Sequence, residues 1–117
     1  MQITMLKSKI HHAVVTDAEL EYEGSLTIDR LLMDAAGILP YEKVLVADLE
    51  NGERFETYAI PAPPGSRTIC LNGATAHKGE VGDRLIIFTF CHLDPEEARN
   101  HKPTLVKPDR NNRLIQP

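Results

Sequence analysis

The chain has 117 residues, a formal net charge of −4 at pH 7 and hydrophobic residues at 42% of its positions. We expect these residues to form one domain with one hydrophobic core, and not two domains. Lysine and arginine residues are scattered and form no basic stripe interleaved with aromatic residues, which argues against a nucleic-acid partner. We therefore expect a small ligand. A deep site would compete with the core for volume, so we also expect an oligomer with sites shared between subunits.

Residues 1–16 contain no apolar run long enough for a signal peptide or a membrane span, so we expect a cytoplasmic protein without a membrane partner. Cys70 and Cys91 fit no zinc-ribbon spacing, and in a reducing compartment such a pair is typical of two small buried residues rather than a disulfide. His11 and His12 are adjacent and would point to opposite faces of a strand, and the other three histidines are not grouped. We expect no metal site.

The first part of the chain is predicted to be extended. Residues 3–16 alternate between basic and apolar side chains, with Lys7, Lys9 and His11 on one face and Leu6, Ile10 and Val14 on the other. Residues 17–18 can turn the chain, and residues 20–22 and 25–28 predict extended segments on either side of Gly24. This region should therefore supply strands.

A helix and a hairpin are predicted next. Residues 30–36 have helical character, and Gly37 and Pro40 would end the helix. Two β-rich runs, 41–49 and 53–60, are joined by Glu50-Asn51-Gly52, which predicts an antiparallel hairpin.

The second half of the chain contains further short strands. Residues 61–65 predict a rigid loop, residues 68–71 a strand, Asn72-Gly73 a turn, and residues 84–90 a buried strand. Many short strands with few helices predict a compact β-barrel.

The C-terminal region is expected to hold one more short helix, which Asp94 would cap with Pro95 at its first position. The tail, residues 104–117, has no periodicity. We expect it to be frayed or held by packing on another subunit.

The dipeptide Gly24-Ser25 divides an otherwise extended segment. In a tight, strained turn, a serine hydroxyl can attack the carbonyl of the preceding residue and convert the amide to an ester. Glycine before the serine minimises steric obstruction to the attacking oxygen. By itself, the dipeptide is much better explained as a bulge or a hairpin turn.

Four segments of the chain resemble the pyruvoyl-dependent aspartate 1-decarboxylase family, namely residues 9–29, 51–58, 71–76 and 101–103. They stand in the order and spacing of that family and extend over nearly the whole chain. The resemblance implies a double-ψ β-barrel with two or three short helices. It also implies a homotetramer with sites between adjacent subunits.

The resemblance further implies a proenzyme that cuts its own chain. Residues 1–24 would become the small chain and residues 25–117 the large chain of one domain. After β-elimination of the ester, hydrolysis and loss of ammonia, Ser25 would become a covalent pyruvoyl cofactor. The processing residues that the resemblance implies are Gly24, Ser25, His11, Tyr22 and Thr57. A maturation helper protein is left open.

The activity that the resemblance implies is decarboxylation of L-aspartate to β-alanine and CO₂, for pantothenate and coenzyme A synthesis. The pyruvoyl ketone would form a Schiff base with the substrate amine and accept electrons as CO₂ departs. Tyr58 matches the family's proton donor, and a phenol holds a proton at neutral pH. The substrate-binding positions that match are Lys9, Arg54, Thr57, Asn72, Gly73, Ala74 and Thr75.

The spacing of the candidate residues raises a geometric question. Arg54 and Tyr58 share a face of a regular strand, whereas Thr57 points the opposite way. Either the strand is bulged, or neighbouring subunits meet across it.

The chain departs from the family's pattern at His12, where arginine is common, at Thr75 with His77 in place of part of an alanine-rich run, and at Glu23 before the scissile pair. Two other interpretations are therefore retained. One is an oligomeric β-barrel that binds an acidic metabolite without processing. The other is a self-cleaving protein that stops at ester hydrolysis and retains an N-terminal serine.

Overall fold

The computed structural model describes residues 1–115 of the chain. Within this range, the strands β1 to β8 cover Ile3–Val14, Asp17–Glu19, Ser25–Asp29, Lys43–Asp48, Arg54–Ala62, Ile69–Asn72, Arg84–Leu93 and Thr104–Val106. The helices are α1 (Arg30–Ala36), α2 (Pro95–Asn100) and a 3-10 helix, Gly73–His77.

The strands form one sheet in the order β2-β6-β3-β5-β4-β7-β1-β8. Strand β5 joins its two halves, since Arg54–Tyr58 pair antiparallel with β4 and Ala59–Ala62 pair parallel with β3. Strand β1 leads directly into β2 at the other side of the sheet, where the Thr16 amide donates to the Ile69 carbonyl at 2.8 Å. The sheet therefore curls around one core, which confirms the predicted mainly β barrel with two or three short helices.

The core is formed by apolar side chains from both halves of the sheet and from α1. Its fully buried members include Ile10, Leu26, Ile28, Met33, Val46, Leu71, Leu85 and Ile87. The side of each strand that points away from this core, which we call the outer face, carries polar and half-buried side chains. The candidate site residues that follow lie mainly on this face.

Local signals placed both α-helices correctly. The Asp29 carboxylate accepts from the Leu31 amide at 2.9 Å at the start of α1, and Gly37 adopts a left-handed φ of 70° at its end. The Asp94 side chain caps α2 in the same way. The predicted hairpin is also confirmed, because β4 and β5 pair on either side of Asn51-Gly52.

The predicted alternation along β1 is wrong because the strand contains two irregularities. Its register with β7 shifts between Leu6 and Ser8 and again between His11 and Ala13. The second shift coincides with His12, whose φ is 68°. As a result, the rings of His11 and His12 stack with centroids 3.8 Å apart and do not point to opposite faces. Val14 pairs with the exposed Arg84 and does not join the core face.

The prediction for residues 17–22 is also wrong. Asp17–Glu19 form β2, which pairs parallel with β6, whereas residues 20–22 form a turn. Pairing with a distant strand fixes this segment, and its local sequence does not reveal that pairing.

The described part of the tail is held by its own chain. Strand β8 pairs parallel with β1, and Pro108 bridges to Leu114. The Asn112 side chain is buried, accepts from the Val14 amide at 2.7 Å, and donates to the carbonyls of Val14 and Arg67. The expectation of a frayed tail is therefore wrong for residues 104–115, whereas packing of the tail on another subunit stays a prediction. Residues 116–117 lie outside the described range.

A buried carboxyl group lies at the end of β4. Asp48 is only 2% exposed, and its Oδ1 accepts from the Glu50 amide at 2.8 Å. Its Oδ2 has no hydrogen-bond partner. Burial, together with the neighbouring Asp83 carboxyl, raises the pKa of Asp48 to about 6.

This raised pKa predicts a pH-dependent stability. The folded chain holds the Asp48 proton more tightly than the unfolded chain, so the contribution of this proton is complete below pH 3.8 and is lost as pH rises to about 6. We expect Asp48→Asn, which mimics the protonated form, to raise the free energy of unfolding at pH 7 by about 2–3 kcal/mol relative to the parent. At pH 4 the difference should nearly vanish. Urea denaturation at both pH values measures this.

The matched control is Asp34→Asn, which changes an exposed carboxylate on α1. It should shift stability by less than about 0.5 kcal/mol at either pH. An Asp48→Asn difference that does not change between pH 4 and pH 7 would contradict the role assigned to this carboxyl.

Candidate active site

Ser25 begins β3 directly after the exposed Gly24, and its own side chain is buried. Strand β6 pairs antiparallel with β3 and places Asn72 opposite Ser25. The Asn72 Nδ2 donates to the Ser25 Oγ at 2.9 Å, and this Oγ lies 3.4 Å from the Glu23 carbonyl, to which it donates. The serine of the predicted scissile pair is therefore fixed by a buried amide.

The 3-10 helix packs against the same segment. Asn72 ends β6 and Gly73 starts this helix, so the predicted turn at Asn72-Gly73 is in fact a strand-to-helix junction. The Thr75 hydroxyl contacts the Asn72 carbonyl at 2.7 Å and the Ser25 carbonyl at 3.4 Å. Ala74 lies between Gly73 and Thr75 on the 3-10 helix.

Gly73 is required by close approach of the backbone. Its φ is 64°, and a Cβ at this position would lie 2.8 Å from the Gly24 N and Cα and from the Tyr22 carbonyl oxygen. A larger residue would displace the segment that precedes Ser25. By contrast, a Cβ at Gly24 itself would meet no atom within 4 Å.

The chain contains a second Gly-Ser pair, Gly65-Ser66, in the loop before β6. Ser66 is exposed, and its Oγ accepts only from the Thr68 amide at 3.4 Å. The two pairs share a sequence, but only Ser25 combines burial with an amide donor on its hydroxyl.

Tyr58 lies beside Ser25 in the sheet. The parallel register of β3 and β5 begins with Leu26 opposite Ala59, so Ser25 and Tyr58 each stand one residue before this pair. Tyr58 is half-buried on the outer face, with the Tyr41 ring 6.3 Å away between centroids. Thr57 pairs with the buried Val44 and so points to the inner side, as predicted.

Lys9 lies on β1 and Arg54 lies on β5, and both are placed on the face of the sheet that carries Phe88. Lys9 pairs with Phe88 of β7, and the Arg54 guanidinium reaches across β4 to lie 5.7 Å from the centroid of the same ring. Two cationic residues therefore share the outer face of the sheet. This pattern suits a ligand with negative charge.

His11 belongs with this cationic group and not with Ser25. His11 pairs with Ile86 on β7, and Ile86 pairs with Ala47 on β4. Ala47 in turn pairs with Arg54 on β5, so His11 and Arg54 lie in one row across the sheet. Burial, followed by the positive charges of His12, Lys9 and Lys107, lowers the pKa of His11. Its Nδ1 is buried without a hydrogen-bond partner.

The predicted site residues therefore form two groups. Ser25, Tyr58 and the residues of the 3-10 helix lie at one end of β3 and β5, and Arg54 lies four residues from Tyr58 along β5. At about 3.3 Å per residue, this is a separation of about 13 Å. The β4–β5 register is continuous over Arg54–Tyr58. A bulge therefore does not explain how Thr57, which points away from Arg54 and Tyr58, could share a site with them.

A cavity of about 370 Å³ opens on the outer face beside Asn72. Tyr22, which is 61% exposed, lines it together with Asp17 and Glu19. The two carboxylates make this cavity unsuitable for the carboxylates of an acidic ligand. The cationic residues on the face that carries Phe88 are better suited to bind the carboxylates of such a ligand.

Comparison with known proteins identifies the family of the chain. The family model described as aspartate decarboxylase matches residues 1–115. The chain belongs to the aspartate decarboxylase family.

Individual relatives are similar over nearly their whole length. An aspartate 1-decarboxylase of Clostridium kluyveri is 53% identical over 116 residues, with 99% of this chain and 91% of the relative covered. One of Lactiplantibacillus plantarum is 58% identical over 114 residues, with 97% and 88% covered. One of Thermoanaerobacter pseudethanolicus is 55% identical over 115 residues, with 98% of each covered.

Two residues around the candidate site of this family member were missed from the sequence. Thr27 and Cys70 both contact the Asn72 amide. Each stands two residues from a predicted site residue on a strand, so the two-residue period of strands was the signal that could have found them.

The departures from the family's pattern have clear places in the structure. His12 occupies the β1 irregularity, Glu23 is exposed, and Thr75 is 9% exposed and bonded to backbone next to Ser25. Within residues 1–115, no group of three or more histidine, cysteine, aspartate or glutamate side chains is placed to bind a metal ion. None of the helices in the described range is long and apolar enough to cross a bilayer.

The contact between Gly73 and Gly24 predicts an unequal response to alanine. In a Ser25→Ala chain, which keeps the polypeptide in one piece, we expect Gly73→Ala to lower the free energy of unfolding by about 1–3 kcal/mol more than Gly52→Ala. Both glycines have positive φ, 64° and 75°, but only a Cβ at Gly73 meets backbone atoms. Urea denaturation measures the difference. Equal losses would show that the close approach to Gly24 does not constrain position 73.

Proposed function

We propose that this chain is a self-processing enzyme that decarboxylates L-aspartate to β-alanine and CO₂, and that the product serves pantothenate and coenzyme A synthesis. The observation that carries this proposal is that Ser25 follows an exposed Gly24, is buried, and accepts a hydrogen bond from the Asn72 side-chain amide. The chain that holds this serine is 51–58% identical to relatives named aspartate 1-decarboxylase. A binding module without processing is not favoured, because it gives no role to this serine.

Processing would divide the domain into residues 1–24 and 25–117. The Ser25 hydroxyl attacks the Gly24 carbonyl carbon, and the negative charge of the addition passes to the Gly24 carbonyl oxygen. The Asn72 Nδ2 donates to the attacking oxygen and favours loss of its proton. The open space around Gly24 leaves the approach to its carbonyl unobstructed. Tyr22 belongs to the same turn, and Thr57, by extension of the β3–β5 register, lies opposite Gly24.

A pyruvoyl group derived from Ser25 fits this position. The backbone carbonyl of Ser25 lies against the Thr75 hydroxyl and its side chain lies against the Asn72 amide, so both ends of the residue have polar partners. When formed, the pyruvoyl ketone supplies the electron sink that decarboxylation of an amino acid needs. Asn72, Gly73, Ala74 and Thr75 would hold this part of the site.

Substrate recognition is assigned to the cationic group. Aspartate carries two carboxylates, and Lys9 and Arg54 offer two cations on the outer face that carries Phe88. The planar guanidinium can bind one carboxylate through two parallel hydrogen bonds. Tyr58, next to Ser25 in the sheet, donates the proton that replaces the departing CO₂.

The two groups are brought together, in our proposal, by a homotetramer with sites between adjacent subunits. Aspartate is too short to span the ~13 Å between the Tyr58 and Arg54 positions of one chain. The outer faces also leave large apolar side chains exposed, including Tyr41 at 75%, Leu105 at 55% and Phe90 at 46%. A neighbouring subunit would cover such side chains.

We also assign the protein to the cytoplasm. Cys70 and Cys91 are both free thiols, which is the usual state of cysteine in a reducing compartment.

Ser25→Ala is expected to abolish both chain cleavage and decarboxylation, because it removes the oxygen nucleophile and the cofactor precursor. Denaturing intact-mass spectrometry should show one uncut polypeptide for this variant and two fragments for the parent, split after Gly24. The matched control is Ser66→Ala at the second Gly-Ser pair, which should process and turn over like the parent. A fully active preparation that contains only uncut chain would refute the proposal. A large fragment with N-terminal serine would identify the path that stops at ester hydrolysis.

Tyr58→Phe is expected to separate processing from turnover. The variant should still be cut at Gly24-Ser25, whereas kcat should fall by about 100-fold or more, because the proton donor is lost. CO₂ release and intact mass measure the two steps. Tyr41→Phe removes the hydroxyl of the adjacent, exposed ring and should leave kcat within about twofold of the parent. Turnover of Tyr58→Phe at the parental rate would exclude Tyr58 as the donor.

A further inference from the structure

Strands β3 and β6 carry a cluster of four small polar side chains on their outer face. The antiparallel register sets two pairs of residues directly opposite each other, namely Ser25 with Asn72 and Thr27 with Cys70. Since residues two apart on a strand share a face, all four side chains lie together. We call them the amide cluster, because the Asn72 amide is at its centre.

Every polar atom of the Asn72 side chain is engaged in this cluster. Its Nδ2 donates to the Ser25 Oγ at 2.9 Å and to the Thr27 Oγ1 at 2.7 Å. Its Oδ1 accepts from the Cys70 thiol, with the sulfur 3.1 Å away. Asn72 is 1% exposed and Cys70 is 6% exposed, so water does not compete for these groups.

The thiol determines which way the amide faces. An asparagine amide turned by 180° about its last bond would exchange its oxygen and nitrogen. The Thr27 hydroxyl can donate or accept and accommodates either orientation. The Ser25 hydroxyl, which donates to the Glu23 carbonyl at 3.4 Å, favours the orientation in which Nδ2 faces it. A thiol is a better donor than acceptor toward an amide, and it therefore favours the orientation in which Oδ1 faces Cys70.

The surroundings of Cys70 keep it in the protonated form. Burial, followed by the negative charges of Asp17 and Glu19, raises the pKa of the Cys70 thiol. The S–H hydrogen is therefore present at neutral pH and available to Asn72. The Ser25 hydroxyl, in turn, directs its hydrogen to the Glu23 carbonyl and leaves a lone pair for Nδ2.

We propose that Cys70 is a positioning residue for cleavage of the Gly24-Ser25 bond, acting through Asn72. This inference rests on the proposed self-processing. In the first step, the Ser25 oxygen forms a bond to the Gly24 carbonyl carbon while the carbon–nitrogen bond breaks. The hydroxyl proton moves to the released nitrogen of Ser25. The amide becomes an ester with no other reactant.

Orientation of the amide matters because charge develops on the Ser25 oxygen as its proton leaves. With Cys70 in place, an N–H group faces this oxygen and stabilises the charge. With the amide turned, a carbonyl oxygen would face it and oppose the reaction. Within residues 1–115, Cys70 makes no hydrogen bond to Gly24 or to the Ser25 oxygen, so its effect is transmitted by Asn72.

The test compares Cys70→Ala, which removes the donor, with Cys70→Ser, which keeps a donor at the same position. Uncut protein is purified immediately after synthesis, and the fraction cleaved at Gly24-Ser25 is followed over time by denaturing intact-mass spectrometry. We expect Cys70→Ala to process about tenfold more slowly, the effect of one lost hydrogen bond in a buried network, and Cys70→Ser to stay within about twofold of the parent. The control Cys91→Ala changes the other free thiol, on β7, and should process like the parent.

The outcomes separate this inference from the proposed function. If the parent chain is never cut, the self-processing proposal fails and this inference fails with it. If the parent is cut and Cys70→Ala is cut at the same rate, only the role of Cys70 is refuted. Equal slowing in Cys70→Ala and Cys70→Ser, with equal loss of thermal stability, would also refute it, because packing and not a donor would then explain the effect.

Discussion

The structure of the candidate site depends on the position of β3 between two different partners. Strand β6 pairs with it antiparallel and places Asn72 opposite Ser25, whereas β5 pairs with it parallel and places Tyr58 beside Ser25. A central strand has both edges satisfied by backbone hydrogen bonds, so its first residue is held more firmly than a residue in a free loop. The segment before it, residues 21–24, is exposed. A rigid serine therefore adjoins an accessible peptide bond.

The distribution of charge follows from the same sheet. The end of the barrel that carries Ser25 is lined on one side by Asp17 and Glu19, while Lys9 and Arg54 lie on the outer face of the other half. Grouping the cations away from the acidic cavity keeps a negatively charged ligand from binding in the wrong place. In the proposed homotetramer, these two groups of residues would be complementary partial sites. Assembly of several chains would then bring binding and chemistry to one point.

Local signals in the sequence predicted much of this fold, and long-range pairing decided the rest. The Asn51-Gly52 hairpin and the caps of α1 and α2 depend on residues close in sequence, and all three predictions are confirmed. The segment Asp17–Glu19 becomes a strand only because β6 lies beside it. The irregularity at His12 requires a left-handed backbone at a residue other than glycine, which no composition signal announces. The tail is ordered through Asn112, whose partners lie 45 and 98 residues away.

The candidate site shows the same division. Gly24, Ser25, Tyr58 and the two cations could be selected from motifs, because family resemblance carries residue identities. Their grouping into two sets, and the contacts of Thr27 and Cys70 with Asn72, follow from strand register and became visible only in three dimensions.

The place of β1 has a consequence for a chain divided after Gly24. This strand lies inside the sheet, between β7 and β8, and β2 adds a further pairing with β6. The first 24 residues would thus stay attached without a covalent link, since their removal would expose the core residues Ile10, Ala13 and Val15 to water. The divided protomer would then behave as a tight heterodimer of two peptides, which exchange only through global unfolding. Its two pieces would need to fold together before the cut, because the large fragment alone lacks the strand that completes its barrel.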